Sequence, residues 1–281
     1  MSLGERVETA KGSESGAGPP GEPGALTHGH GGQPDVRGAR VEARAVGRRF
    51  GPHVALADVG FDIHPGETFG LLGPNGAGKT TFIRLLTGFL MPSAGEVRVD
   101  GLSPVRDTRA VQARIGYVPE QPRLYPELRV AGFLRFAAEL RGLVGAARNA
   151  AVEASLARFG LEPVAKRLIG HLSKGFRQRV SLAQGFLHDP TLLIVDEPTS
   201  GLDPLQREEV RDLLLGLRDR CTIVLCTHDL RDAQALATRC AVLQRGRLVA
   251  LGGTDSLLGG DDPLALFRVD AGAESAAQGG R

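Results

Sequence analysis

The chain has 281 residues, of which 42% are hydrophobic and 23% are charged. This length fits one or two domains with a sizeable buried core. Basic residues number 34 and acidic residues 32, so the net charge of +2 argues against a protein that coats nucleic acid. The three cysteines have no C-x-x-C spacing, which argues against a zinc module or a disulfide scaffold and fits a reducing compartment.

The two ends of the chain differ in composition from its middle. Residues 1–38 consist mainly of Gly, Pro, Ser, Glu and Ala, and such a segment cannot bury enough surface to offset its ordering entropy. We therefore expect a disordered tail over residues 1–38, a globular part over residues 39–260 and a second short tail over residues 261–281. No apolar run approaches the roughly 18–20 residues that cross a bilayer, and the first thirty residues lack the apolar stretch of a secretory signal.

The globular part alternates between strand-like and helix-like patterns. Two groups of segments are predicted to be strands: Val41–Val46, Val54–Leu56 and the alternating Glu96–Asp100; and the apolar runs Thr68–Leu72, Leu192–Val195 and Cys221–Thr227. The second group lacks alternation, which is typical of parallel strands that are buried on both faces. Because helical patterns separate these runs, the sequence predicts an α/β fold with a parallel sheet.

The stretch from about residue 117 to residue 175 has a different character. Two sets of apolar residues follow helical spacing: Val130, Phe133, Leu134, Ala137 and Leu140; and Val152, Leu156 and Phe159, which end at Gly160. We predict no strand in residues 117–170. The pattern indicates a helical subdomain that is inserted into the α/β core.

A phosphate-binding loop is the most specific motif in the chain. Residues 73–80 read G-P-N-G-A-G-K-T and match G-x-x-x-x-G-K-[ST], between a predicted strand and a helix-like run over Thr80–Leu90. Glycines let the backbone wrap a polyphosphate, while backbone N–H groups and a helix N-terminus supply positive potential. Lys79 would add a charge at the β- and γ-phosphates, and the Thr80 hydroxyl would bind Mg²⁺.

Polar side chains follow two of the predicted buried strands. Asp196 and Glu197 come directly after Leu192–Val195, and His228 follows Cys221–Thr227. Ligands of open α/β sheets bind at the carboxyl ends of strands. Asp196 is thus a candidate Mg²⁺ ligand, Glu197 a candidate to orient or deprotonate an attacking water, and His228 a candidate to contact a γ-phosphate.

Together these motifs resemble a known family. The segment Leu172–Gln178, L-S-K-G-F-R-Q, resembles the LSGGQ signature of ATP-binding cassette (ABC) transporter subunits. The phosphate loop, this segment, the acid pair, the S-G-L-D turn that ends at Asp203 and the histidine follow in the family's order. The resemblance covers about residues 41–251. It implies a P-loop NTPase fold in which an antiparallel β subdomain and a helical subdomain accompany the α/β core.

The resemblance also implies a role for individual residues. The phosphates of ATP would be bound by Gly73, Pro74, Asn75, Gly76, Ala77, Gly78, Lys79, Thr80 and Thr81, and Mg²⁺ by Thr80 and Asp196. Phe50 would stack on adenine, Glu197 would be the general base, and His228 would hold the γ-phosphate and the water. Ser173 and Gly175 would contact the γ-phosphate bound to a second cassette, and Asp203 would couple the two sites. The functional unit would be two cassettes, most simply a homodimer, that enclose two ATP molecules head to tail.

The chain departs from the family pattern at a few positions. Glu120 occupies the place where family members commonly have a glutamine that senses the γ-phosphate, and the adjacent Gln121 could take that role if the register slips by one residue. In the signature, Lys174 replaces a glycine and Phe176 replaces a glutamine. Lys174 would add positive charge near the phosphate of the second cassette.

These variants resemble cassettes of bacterial exporters whose membrane subunits are encoded separately, of the gliding-motility-associated, sodium-efflux, drug-export and copper-maturation types. The resemblance implies an ATPase that powers a separate transmembrane permease as a peripheral protein at the cytoplasmic face of the plasma (inner) membrane, with no nucleic-acid partner. One alternative is a soluble ABC ATPase of translation or DNA repair, although the chain has neither a second cassette nor a long coiled coil. Another is a regulator that binds nucleotide without hydrolysis, which the presence of Glu197 and His228 disfavours.

Overall fold

The computed structural model describes residues 37–260, so the expected tails lie outside the described residues, except for Arg37 and Gly38. Within this range the strands are β1 (Val41–Phe50), β2 (His53–Ile63), β3 (Thr68–Leu72), β4 (Ala94–Val99), β5 (Ile115–Val118), β6 (Leu192–Asp196), β7 (Thr222–Thr227), β8 (Arg239–Gln244) and β9 (Arg247–Gly253). The α-helices are α1 (Lys79–Leu86), α2 (Thr108–Arg114), α3 (Val130–Leu140), α4 (Gly145–Arg158), α5 (Lys174–Phe186), α6 (Pro204–Leu215), α7 (Leu230–Leu236) and α8 (Thr254–Leu258). Short 3₁₀ helices span Glu162–Val164 and Ile169–His171. None of the helices in the described range is long and apolar enough to cross a membrane.

A six-stranded sheet forms the centre of the α/β core. Its strand order is β5-β6-β7-β3-β8-β9, and all neighbours pair in parallel except β8 and β9, which are antiparallel. Every residue of β3, β6 and β7 is buried, as expected for strands that are covered on both faces. The three apolar runs that predicted these strands are thereby confirmed, and β7 lies between β6 and β3 in the sheet.

A second, antiparallel sheet has the order β2-β1-β4. Both β1 and β2 are longer than the segments predicted at Val41–Val46 and Val54–Leu56, because the ladder continues through irregularities. The register between β1 and β2 shifts after Ala43, and Ala45 and Asp58 both adopt positive φ values, of 49° and 54°. Such bulges let a strand continue where side-chain alternation breaks down. The antiparallel β subdomain is confirmed.

Helices α3 and α4 lie between β5 and β6 in the chain and pack with α5. Buried apolar side chains from the three helices join one core cluster, which includes Phe133, Phe159 and Phe186. The prediction of no strand in residues 117–170 is wrong at its start, because Tyr117 and Val118 belong to β5. This strand of 4 residues contains Gly116 and is too short to produce a recognisable periodicity.

Candidate functional site

The loop over residues 73–78 joins β3 to α1 and lies against the antiparallel sheet. Gly78 has φ of 109°, and a Cβ atom there would lie 2.6 Å from the Leu56 side chain and 2.9 Å from the Ala55 carbonyl. Only glycine fits this conformation at this distance from β2. By contrast, a Cβ at Gly76 would meet nothing within 4 Å, so this part of the loop faces open space. The loop backbone and the start of α1 thus present N–H groups to a cleft.

Lys79 begins α1 and is 6% exposed. Its Nζ donates a hydrogen bond to the Gly73 carbonyl at 2.5 Å and lies 3.7 Å from Glu197 Oε1. The ammonium group is therefore held at the centre of the loop, with a carboxylate as its counter-charge.

Asp196 ends β6 and is 9% exposed. Burial, followed by the charges of Glu197 and Glu120, raises the pKa of its carboxyl to about 6, while Lys79 acts in the opposite direction. The excess of carboxylates and the Thr80 hydroxyl provide the oxygen donors that Mg²⁺ prefers. Residues 37–260 contain no group of three or more acidic, histidine or cysteine side chains able to hold a metal, and Mg²⁺ usually keeps waters and phosphate oxygens as its remaining ligands.

Glu197 and His228 are brought together because β6 and β7 are parallel neighbours, with Asp196 paired to Cys226. Glu197 Oε1 lies 2.8 Å from His228 Nδ1, and the Thr227 hydroxyl donates to Oε2 at 3.1 Å. Glu197 itself has φ of 47°, in the left-handed region. Strain of this kind costs about 1–3 kcal/mol and is frequent at functional sites. The carboxylate is thus oriented by two neighbouring side chains.

One pocket contains most of the residues predicted to bind nucleotide. Its lining comprises Phe50, His53, Ala55, Pro74, Asn75, Gly76, Ala77, Gly78, Lys79, Thr80, Thr81, Glu120, Asp196 and Glu197. Glu120 belongs to this lining and Gln121 does not. Sequence reasoning missed His53, which pairs with Phe50 across the β1–β2 hairpin.

Phe50 lies at the rim of this pocket with 42% of its surface exposed. The Arg48 guanidinium lies 4.5 Å from the centre of its ring, a cation–π distance. The ring is therefore supported by Arg48 and still has surface available for contact with a ligand.

Five predicted residues are not part of this lining: Gly73, Ser173, Gly175, Asp203 and His228. Gly73 lies next to the pocket through its contact with Lys79 and His228 through its contact with Glu197, whereas the other three lie at the starts of α5 and α6. The Ser173 hydroxyl caps α5 by accepting a hydrogen bond from the Phe176 N–H at 3.3 Å, and the Asp203 carboxylate caps α6 by accepting from the Gln206 N–H at 2.9 Å. Gly175 packs against Gln206, whose side chain would lie 2.9 Å from a Cβ at that position. Ser173 and Asp203 are exposed, whereas Gly175 is buried against Gln206.

A buried ion pair connects the segments that carry the predicted catalytic residues. Asp232 on α7 is fully buried; it accepts hydrogen bonds from the Thr199 hydroxyl and from Arg211 Nε, the latter at 2.8 Å. Arg211 Nη2 lies 2.7 Å from the same carboxylate. Thr199 follows Glu197, α6 follows Asp203, and α7 follows His228. Sequence reasoning missed this network because its members are far apart in the chain.

Comparisons with known proteins match one family. A family model described as "ABC transporter" matches residues 56–200. The probable multidrug ABC transporter ATP-binding protein YbhF of Escherichia coli K12 is 36% identical over 217 residues, which are 77% of this chain but 38% of that protein. The chain therefore spans well under half the length of this relative. The Nod factor export ATP-binding protein I of Paraburkholderia xenovorans is 37% identical over 83% of this chain and 78% of its own length.

Two solved structures have the same fold. The first is cbiO1 from Clostridium perfringens, part of the ABC transporter complex cbiONQ. Its TM-score is 0.74 at 26% identity, over 82% of this chain and 95% of that chain. The second is an ATP-binding subunit of an ABC transporter. Its TM-score is 0.70 at 30% identity, over 84% of this chain and 96% of that chain.

Proposed function

The chain belongs to the ABC transporter family, and from this premise we propose that it is the subunit that binds and hydrolyses ATP to power a separate membrane-spanning permease. One observation carries the proposal. Glu197 and His228 are in contact at 2.8 Å, and Glu197 lines the same pocket as the phosphate loop. A general base is thus poised where a γ-phosphate would lie.

ATP binding is assigned to the pocket residues. The loop N–H groups over residues 73–81 bind the phosphates, Lys79 adds its charge at the β- and γ-phosphates, and Phe50 stacks on the base. Base stacking on an aromatic ring contributes about 1–3 kcal/mol. Thr80 and Asp196 would hold Mg²⁺, which offsets phosphate charge when it is bound.

Hydrolysis is assigned to Glu197 and His228. Glu197 Oε1 or Oε2 accepts a proton from the attacking water, while Thr227 and His228 keep the carboxylate oriented. General-base catalysis of this kind contributes about 10²–10⁴-fold. His228, which contacts Glu197 at 2.8 Å, is assigned the role of holding the water and the γ-phosphate beside this base.

The proposed functional unit contains two cassettes. Because Ser173 and Gly175 lie outside their own chain's nucleotide pocket, a second copy placed head to tail can bring them to the γ-phosphate bound by its partner. Asp203 lies beside this surface and would couple the two sites. Closure on ATP and opening after hydrolysis would then drive the permease, with the cassette peripheral to the cytoplasmic face of the membrane.

Export is the direction that we propose. The YbhF and Nod factor relatives are named for multidrug transport and for export, respectively. None of the relatives described above is named for translation or DNA repair, so those activities receive no support from them.

The decisive test of this function is the Glu197→Gln variant, which keeps the shape of the site and removes the base. We expect it to bind ATP, lose turnover and accumulate as a dimer, visible as a doubled mass in size-exclusion chromatography with light scattering. Lys79→Ala is the matched control and should remain a monomer without turnover. A Glu197→Gln variant that hydrolyses ATP at the wild-type rate, or stays monomeric with ATP bound, would contradict the proposal.

A further inference from the structure

A second cavity lies where the segment over residues 120–122 faces the first turns of α5. Its lining also includes Lys174, Arg177 and Gln178 of α5 and the Ser200 side chain. We call it the α5 cavity. Glu120 lines both this cavity and the nucleotide pocket, so the two spaces are neighbours that share one carboxylate.

The lining of the α5 cavity has two positive charges and one carboxylate, that of Glu120. Within residues 37–260, neither Lys174 nor Arg177 forms an ion pair, and the Arg177 guanidinium donates a hydrogen bond to the Leu172 carbonyl at 3.1 Å. The Lys174 ammonium lies directly against the Gly201 backbone, since a Cβ at Gly201 would be 2.2 Å from Nζ. Both cations lie in the first turns of a helix of 13 residues, where the helix dipole also attracts anions.

Gln178 provides an independent indication that this cavity binds a ligand. Its side chain lines the cavity and is 5% exposed, yet its Nε2 group has no hydrogen-bond partner among the described residues. A buried donor without a partner is destabilising. A ligand that brings an acceptor oxygen would satisfy it.

The cavity also contains an acceptor. Glu120 Oε1 lies 3.5 Å from the Ser200 hydroxyl, a long contact that leaves the carboxylate free to accept a stronger hydrogen bond. Two cations and an amide donor suit an anion with several acceptor oxygens, while a carboxylate requires that the anion also donate. Monohydrogen phosphate has both properties, whereas sulfate has no proton to donate.

We propose that the α5 cavity is a binding site for inorganic phosphate. Lys174, Arg177 and Gln178 donate to its oxygens, and Glu120 accepts its P–OH hydrogen. The site would hold the phosphate that ATP hydrolysis releases. This origin of the phosphate rests on the proposed ATPase function. Binding of phosphate itself does not depend on hydrolysis and is tested without nucleotide.

The test is isothermal titration calorimetry of the full chain with sodium phosphate and, at equal ionic strength, with sodium sulfate. All proteins carry Lys79→Ala, which weakens phosphate binding in the loop over residues 73–80. In this background, Arg177→Gln and Gln178→Leu remove cavity donors. Arg179→Gln is the matched control, because it removes the same charge from the same helix. Its ion pair with Glu209, at 2.6 Å, lies outside the cavity lining.

We expect phosphate to bind at least about tenfold more tightly than sulfate. Sulfate has no proton to donate to the Glu120 carboxylate, so the two negative charges would repel each other. Arg177→Gln and Gln178→Leu should each weaken phosphate binding by about tenfold or more, and Arg179→Gln by less than about twofold. If Gln178→Leu does not fold, the Arg177→Gln variant tests the cavity by itself, because Arg177 is exposed.

Equal affinities for phosphate and sulfate, no binding of phosphate, or equal losses in Arg177→Gln and Arg179→Gln would each overturn the proposal. A wild-type protein that fails to hydrolyse ATP but binds phosphate in this cavity would overturn the ATPase function alone. If both proposals hold, added phosphate should inhibit ATP hydrolysis by the wild type and inhibit the Arg177→Gln variant less.

Discussion

His188 is a half-buried histidine, just after α5, that the proposed chemistry does not use. Its ring contacts the Ile115 carbonyl through Nε2 at 3.2 Å, while Nδ1 has no hydrogen-bond partner among the described residues. Burial, followed by the charge of Arg141, lowers the pKa of His188 to about 4 from a usual 6.5. Between these values the unfolded chain binds the proton more tightly than the folded chain, so folding stability is lost as the pH falls through this window.

We predict that His188→Gln reduces the loss of stability between pH 6.5 and pH 4. The effect should be of the order of 1 kcal/mol, after allowance for solvent screening of a half-buried group. It is measured as the free energy of unfolding from urea titrations at several pH values. The exposed His171→Gln variant should follow the wild type, and equal slopes for all three proteins would contradict the prediction.

The site residues that could be predicted from the sequence are those whose place in a motif also determines their place in the fold. Asp196, Glu197 and His228 directly follow buried strands, so the parallel sheet itself places them at one edge. Asp232 was not predictable, because its partners Thr199 and Arg211 reach it from other elements. The roles assigned to all of these residues stay predictions until the variants are measured.

At the scale of elements, β5 and α5 approach each other through two glycines. A Cβ at Gly116 would lie 2.1 Å from the Gly185 carbonyl and 2.9 Å from the Leu193 side chain. A Cβ at Gly185 would lie 2.7 Å from the Val118 side chain. The helix can therefore cover this edge of the sheet only because both positions lack a side chain.

We predict that Gly116→Ala destabilises the fold by about 1–3 kcal/mol or more, because α5 must move away from β5. Gly132→Ala is the matched control on α3, where a Cβ would meet nothing within 4 Å. Alanine in this helix should be neutral or stabilise by up to about 1 kcal/mol. Thermal unfolding of both variants gives the comparison, and a Gly116→Ala protein as stable as the control would show that the two elements can separate freely.

Arg211 of α6 and Asp232 of α7 form the buried ion pair that joins these two helices. Asp232→Ala should destabilise the protein by about 3–5 kcal/mol, because it leaves the guanidinium of Arg211 buried without its main partner. Glu208→Gln removes the exposed partner of the same arginine, 2.6 Å away, and should cost less than about 1 kcal/mol. Urea unfolding measures both, and similar values for the two variants would mean that the buried carboxylate contributes no more than the exposed one.

Elements were predictable in proportion to the strength of their local pattern. The uniformly apolar β3, β6 and β7 and the periodic α3 and α4 were predicted, whereas β5, β8 and β9 were not. β5 has only 4 residues. β9 alternates between exposed and half-buried residues at the edge of the sheet, and its pairing with β8 is a non-local property.

For the whole molecule, the main consequence of the fold is that one chain does not bring all of its predicted ATP-binding residues together. The phosphate loop lies in one pocket, and Ser173, Gly175 and Asp203 lie outside it. Two copies placed head to tail would form two composite sites, each with the loop of one chain and the α5 N-terminus of the other.

We predict that two inactive variants restore activity when they are mixed. Lys79→Ala would disable the loop, and Ser173→Arg would disable the surface proposed to face the partner, so neither variant can form an intact site by itself. A mixed dimer has one site with both defects and one intact site, which should return up to about a quarter of wild-type ATP turnover in an equal mixture. Turnover that stays at the level of the separate variants would contradict a head-to-tail arrangement.

The contact between Lys79 and Glu197, at 3.7 Å, places the proposed phosphate-binding cation beside the proposed general base. Because a phosphate and a carboxylate are attracted to the same ammonium group, a γ-phosphate that binds Lys79 would compete with Glu197 for this charge. Binding of the triphosphate would then weaken the hold of Lys79 on the carboxylate and make Glu197 more available to accept a proton from water.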